Sequence, residues 1–163
     1  MKIKSVWKII VSIIFMAILS AFNATAADLI VVATKATQDA SKDWLGFLES
    51  KEIPVKVVTP DSFSGVKEEL YIFVLGSLDE SKEIADIARE ALTADEYKAI
   101  TEGSSAGKMF YKPQAWNVGQ KVILIIGPNQ EAVTTVRKAE KEKWFEMLKE
   151  WFDVDDTESF HVY

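Results

Sequence analysis

LIVVATKATQDASKDWLGFLE (29–49), YIFVLGSLDESKEIADIAREAL (71–92) and VILIIGPNQEAVTTVRKAEKEKWFEML (122–148) repeat one outline three times. Each opens on a β-prone apolar run, passes a small residue (Ala33, Gly76, Gly127) and a polar turn, and continues with helix-period sequence. Ile30–Ala33, Ile72–Leu75 and Val122–Ile126 lack any polar alternation. Strands read this way when helices cover both faces of a mostly parallel sheet.

The intervening segments complete the pattern. A first helix is expected from about Gln38 to Ser50 with Trp44, Leu45 and Leu48 inward, and Val55–Val58 then closes a β-α-β unit. Pro60, Asp61, Ser62, Ser64 and Gly65 predict a turn or short irregular loop. A second helix starts near Ser81 with Ile84, Ile87, Ala88 and Ala91 on its inner face, and Thr93 with Glu96 has the capping-box spacing for a continuation through Ile100. Met109 to Trp116 reads as an extended strand. Only residues 117–120 separate it from Lys121, too few for a crossover helix, so an antiparallel hairpin is expected, with Pro113 placing its first strand at the sheet edge. The last helix runs from after Asn129 to about Phe152, with Val133, Val136, Ala139, Lys143, Phe145 and Leu148 inward. Arg137, Lys138, Lys141 and Lys143, interleaved with Glu140 and Glu142, read as a solvated face. The expected fold is α/β: a single three-layer domain over 27–152, with a mixed, mostly parallel five-stranded sheet, helices on both faces and an edge hairpin. Residues 153–163 form an acidic C-terminal tail.

Lys2, Lys4 and Lys8 precede the apolar run Ile9–Leu19, and Ala24 and Ala26 provide a small-residue cleavage pattern. This predicts a signal peptide over 1–26 and an extracellular or cell-surface address. A retained anchor is the alternative, although a bilayer span needs about 20 apolar residues; after processing no membrane span is expected. Removing three lysines leaves 16 basic against 25 acidic residues, a formal charge of −9. Such a surface repels phosphate backbones, which argues against nucleic acid as a partner. With no Cys, the chain has no disulfide framework and relies on core packing.

Catalytic parts are sparse. His161, in the tail, is the one imidazole, and no thiol nucleophile exists; Gly103-Ser104-Ser105-Ala106-Gly107 has G-x-S-x-G spacing but reads as the stop after the second helix, not as an elbow leaving a strand. Gly76–Ser81 and Gly127–Gln130 sit where helix N-termini hold anions, yet they contain neither dinucleotide nor P-loop spacing, and Asp79 and Glu80 repel phosphate. Gly76 and Gly127 read instead as strand-exit glycines that permit a sharp turn, or as contacts to a neutral ligand. Asp28, Asp43, Asp61 and Asp79 lie near element ends where sheet crevices form, the one route to a carboxylate-dependent hydrolase. Asp153, Asp155, Asp156 and Glu158 could offer oxygens to calcium at an interface, but lack EF-hand spacing. No cofactor and no resident metal site are expected.

Aromatic residues concentrate in the second half. Tyr111 and Trp116, on the expected edge hairpin, suit stacking on a sugar face or packing against another subunit, or else cover the sheet edge. Trp151 and Phe152 on the last helix, and Phe160 and Tyr163 in the tail, complete the candidate partner-binding set; the β-prone stretch Glu158–Tyr163 suits strand addition to an exposed edge.

Ile72-Phe73-Val74-Leu75-Gly76, then Trp116 through Gly127, then Asn129–Ala132, resembles α/β modules of archaeal surface-layer and related cell-envelope proteins. There a glycine-ended strand is followed by a polar segment, a tryptophan-glycine hairpin, a second strand and a helix. The same stretch is similar to non-catalytic α/β domains preceding glycosidase barrels. The resemblance implies an envelope or carbohydrate-associated scaffold and carries over no catalytic residue. The expectation is an exported, non-catalytic protein that acts by binding or assembly, with an envelope protein, a second copy or a glycan as partner. A carbohydrate-binding accessory domain and a small hydrolase are the alternatives.

Overall fold

The uninterrupted apolar runs form the centre of one sheet, because residues apolar in both directions must be covered on both sides. The computed structural model describes residues 27–102 and 106–154. The elements in chain order are β1 (Leu29–Val32), α1 (Lys35–Ala40), α2 (Lys42–Ser50), β2 (Val55–Val58), a 3-10 turn (Pro60–Gly65) and β3 (Tyr71–Ser77). They continue with α3 (Lys82–Ala91), α4 (Ala94–Thr101), β4 (Lys108–Pro113), β5 (Lys121–Gly127), α5 (Gln130–Ala139) and α6 (Lys141–Phe152). The strand order is β2-β1-β3-β5-β4. All neighbours are parallel except β4, which pairs antiparallel with β5. This is the expected single α/β domain with a mixed, mostly parallel five-stranded sheet.

Alternate residues of each central strand enter opposite cores. Leu29, Val31, Phe73, Leu75, Ile123 and Ile125 meet α2, α5 and α6. Ile30, Val32, Ile72, Val74, Leu124 and Ile126 meet the 3-10 turn, α3 and α4. The first core is aromatic: Trp144 is fully buried, edge-on to Trp44 at 5.9 Å and to Phe73 at 6.1 Å. Each such pair adds about 0.5–1.5 kcal/mol beyond the area buried. Caps fix the helix starts. Thr34, Ser81 and Asn129 accept N–H bonds at the starts of α1, α3 and α5, and Thr93 and Glu96 form the expected capping box on α4.

Four local expectations are corrected. The first helix starts earlier, at Lys35, and breaks at Ser41, which turns Thr37 inward while Trp44 and Leu48 keep facing the core. The first hairpin strand ends at Pro113, and Trp116 lies in the following loop. The long last helix is two helices meeting at Glu140; Val133, Phe145 and Leu148 are buried as expected, joined by Ala132, Arg137, Trp144 and Trp151. Arg137 is buried rather than solvated: its guanidinium lies over the Trp44 ring at 5.9 Å and donates to Asp43 at 3.3 Å. Its carbonyl at the break accepts the Trp144 indole N–H at 2.9 Å. A hydropathy stripe cannot include a buried arginine, so the expected inner series drifted onto exposed Lys143.

Gly76 and Gly127 also act differently from expectation. Gly76 is the penultimate residue of β3 and Gly127 the last of β5, and among the described residues the glycine with positive φ is Gly119 in the β4–β5 loop. What the two strand glycines permit is close helix approach. A Cβ on Gly76 would stand 2.9 Å from Ile84 Cδ1, and one on Gly127 would stand 3.0 Å from Ala132 Cβ. Gly76→Ala is therefore expected to cost about 1–3 kcal/mol through overpacking. Ile84→Val, which deletes the clashing Cδ1, is expected to cost less in that background than in the parent chain. Urea midpoints of the four proteins check this, and equal costs would contradict the packing account.

Candidate functional site

Hydrogen-bond parity decides what β4 offers to solvent. In a strand the N–H and C=O of one residue point to the same side, and the side alternates along the chain. Gln114 N–H bonds to Gln120 O at 2.8 Å, toward β5, whereas Lys121 N–H, opposite Pro113, bonds to Leu70 O on the β3 side. Both observations set one parity. Phe110 and Lys112 spend their backbone groups on β5; Met109 and Tyr111 direct theirs outward, and Pro113 lacks an N–H on that same outward side. No strand pairs beyond β4 among the described residues.

The side chains of this edge are equally sorted. Met109 packs on the first core and Phe110 on the second. Tyr111, 41% exposed, leans on Trp151 with ring centroids 6.1 Å apart. Trp151 stacks on Tyr71 at 5.6 Å and 15°, Phe152 tilts on Tyr71 at 4.8 Å, and the Lys121 ammonium lies over Trp151 at 5.7 Å. Tyr111, Trp151 and Phe152 are thus brought together, with Tyr71 as a member that sequence reasoning missed. An open groove of ~760 Å³ runs along α6 past Met147, Glu150 and Val154.

Trp116 is not part of this group. It packs on Phe63 at 4.9 Å in the second core, beneath the Lys67 ammonium. Gln120 holds its loop there: the amide nitrogen donates to Lys67 O and Glu69 O, and the amide oxygen accepts Trp116 N–H. Tyr111 and Trp116 therefore sit on opposite sheet faces and cannot flank one sugar ring. Phe160 and Tyr163 lie outside the described residues, as do the expected signal peptide, His161, and the tail beyond Val154.

The usual ligand crevice of an open α/β sheet lies at the carboxyl ends of strands whose connections diverge. Here that place is between β1, which connects toward β2, and β3, which connects toward β4. Glu80 lines it, beside an open depression bounded by Thr34, Lys35, Pro60, Asp61 and Ser81. Its carboxylate accepts the Thr34 hydroxyl and, at 2.7 Å, the Thr37 hydroxyl, with Ser77 Oγ at 3.4 Å. Thr37, fully buried, is also 2.9 Å from Gln130 Oε1, which ties in α5. The carboxylate joins the loops after β1 and β3. Sequence reasoning gave Glu80 only a repulsive role, because its partners come from loops more than forty residues apart.

The four aspartates considered for acid–base work are all exposed, and Asp43 is paired with Arg137. None is enclosed by apolar side chains. Among the described residues no three acidic or histidine side chains converge as a metal set, and no helix is long and apolar enough to cross a membrane. Comparison of the chain with protein-family models, with curated proteins and with solved structures gives no match.

One ion pair anchors the edge strand. Lys112 donates to Glu96 on α4, whose carboxylate also accepts the Thr93 N–H at 2.8 Å. Partial burial pushes the Glu96 carboxyl up, but the bonds from Lys112 and Thr93 outweigh it and hold it below the ordinary 4.5. A depressed carboxyl contributes stability that is present above its unfolded value and lost as pH falls through its folded value. Glu96 is expected to titrate below 4.5 by carbon NMR. Glu96→Gln is expected to lower the urea midpoint near neutrality and to flatten its fall between about pH 5 and pH 3.

Proposed function

We propose that this chain is an exported, non-catalytic protein of the cell envelope or extracellular space that works by binding or assembly, and that β4 is its contact strand. The basic, apolar and small-residue succession at the N-terminus supports export. The resemblance to envelope modules supports the address. The single observation that carries the binding role is β4 itself: a six-residue edge strand with outward backbone groups at Met109 and Tyr111, and a half-exposed tyrosine backed by stacked rings. Strand addition to such an edge gains main-chain hydrogen bonds for affinity and side-chain contacts for specificity. The opposite edge, β2, has four residues. Calcium, named for the acidic residues after Phe152, has no role in this reading.

The test uses a photoreactive benzoylphenylalanine at position 111, which preserves an aromatic ring, with a control at exposed Asp86 on α3. In cells producing the chain with its leader, the expected result is a discrete cross-linked species from position 111 and none from position 86. Met109→Pro removes an outward N–H without touching the β5 ladder, a placement edge strands tolerate. It is expected to abolish the adduct while the purified variant keeps a cooperative urea transition. Equal adducts from both positions, or none from 111, would overturn the reading, as would recovery of the chain from the cytoplasm with residues 1–26 attached.

A further inference from the structure

The edge that would receive a strand also specifies that strand's chemistry. Residues 109 and 111 lie over the first core and 108, 110 and 112 over the second. On the first side an incoming strand meets Met109 and the Tyr111 ring; on the second it meets Lys108 and Lys112 flanking Phe110. Lys108 is exposed and has no ion-pair partner among the described residues, while Lys112 is held by Glu96.

A second copy of β4 fits poorly. Antiparallel pairing that uses both outward residues sets Met109 against the other copy's Tyr111, and so sets Lys108 against the other copy's Lys112, twice over. Like charges directly opposite destabilise a ladder, and edge lysines are a common device against such self-pairing. An acid at the same position would instead gain a cross-strand ion pair. The chain's negative formal charge does not cancel this, since screening confines charge effects to about 8–10 Å.

Resting on the reading of β4 as the contact strand, we infer that its partner is an extended segment of another protein with alternating acidic and apolar side chains, acids on the lysine face and apolar groups on the Met109–Tyr111 face. The probe is an acetylated peptide of alternating glutamate and valine, six residues long, against its lysine–valine counterpart, titrated into isotopically labelled residues 27–163.

The expected result is that the glutamate peptide shifts the Met109 and Tyr111 amides most and binds at least tenfold more tightly than the lysine peptide at about 0.1 M salt. Lys108→Glu should remove that preference, and Met109→Pro should abolish binding of both. Equal binding of the two peptides at 109 and 111 would overturn the charge inference and leave β4 as the contact strand. If neither peptide moves those amides while position 111 still cross-links in cells, the partner is not an alternating acidic strand. Failure of both would remove the contact-strand reading too. Shifts at 109 and 111 that grow with protein concentration alone would identify a second copy as the occupant, and shifts that vanish when residues 155–163 are deleted would identify that segment; either overturns the inference.

Discussion

The seven-residue parallel ladder between β3 and β5 is the constraint from which the rest of this protein follows. Every residue from Ile72 to Leu75 and from Val122 to Ile126 is buried, on both faces at once. Parallel strands cannot be joined by tight turns, so the chain must cross over, and its crossovers supply the helices that cover those faces. Once both faces are covered, unpaired strand backbone remains only at the sheet's two edges. The hairpin that brings β4 back beside β5 ends the sheet with an antiparallel strand, and its parity turns Met109 and Tyr111 outward.

The buried polar groups are local answers to the same constraint. Glu80 lines the carboxyl-end crevice and ties the loops after β1 and β3 together by collecting the Thr34 and Thr37 hydroxyls, the second of which also reaches Gln130 on α5. Arg137 bridges the first core to Asp43, and the carbonyl freed where α5 meets α6 is taken by the Trp144 indole. Gln120 does the equivalent for the hairpin loop and thereby decides on which face Trp116 lies. Each of these side chains positions a backbone segment. Together they leave Tyr111, Trp151, Tyr71 and Phe152 as the aromatic group beside the open edge on the face of the first core.

Much of this was legible locally. The three apolar runs, the antiparallel hairpin of β4 and β5, the edge position of Pro113 and the Thr93–Glu96 box each depend on nearby residues, and each sits where the sequence put it, although the first hairpin strand ends before Trp116. What was not legible depends on distant partners. Arg137 reads as solvent-facing until Trp44 and Asp43 are beside it. Gly76 and Gly127 read as turn formers until Ile84 and Ala132 press against them. Tyr111 and Trp116 look like a pair because five positions separate them, yet the strand ends between them and Gln120 draws Trp116 to the other face. Tyr71 could have been found as a polar-edged aromatic opening an otherwise apolar run.

The central claim is the parity of β4, and backbone amide exchange of residues 27–163 reads it directly. At a dilution where the chain is monomeric, Phe110 and Lys112, bonded to β5, are expected to exchange orders of magnitude more slowly than Met109 and Tyr111, which face outward. Rapid exchange at 109 and 111 beside slow exchange at 110 and 112 would establish an open contact strand. Uniform protection across 109–112, or slow exchange at 109 and 111 alone, would contradict it.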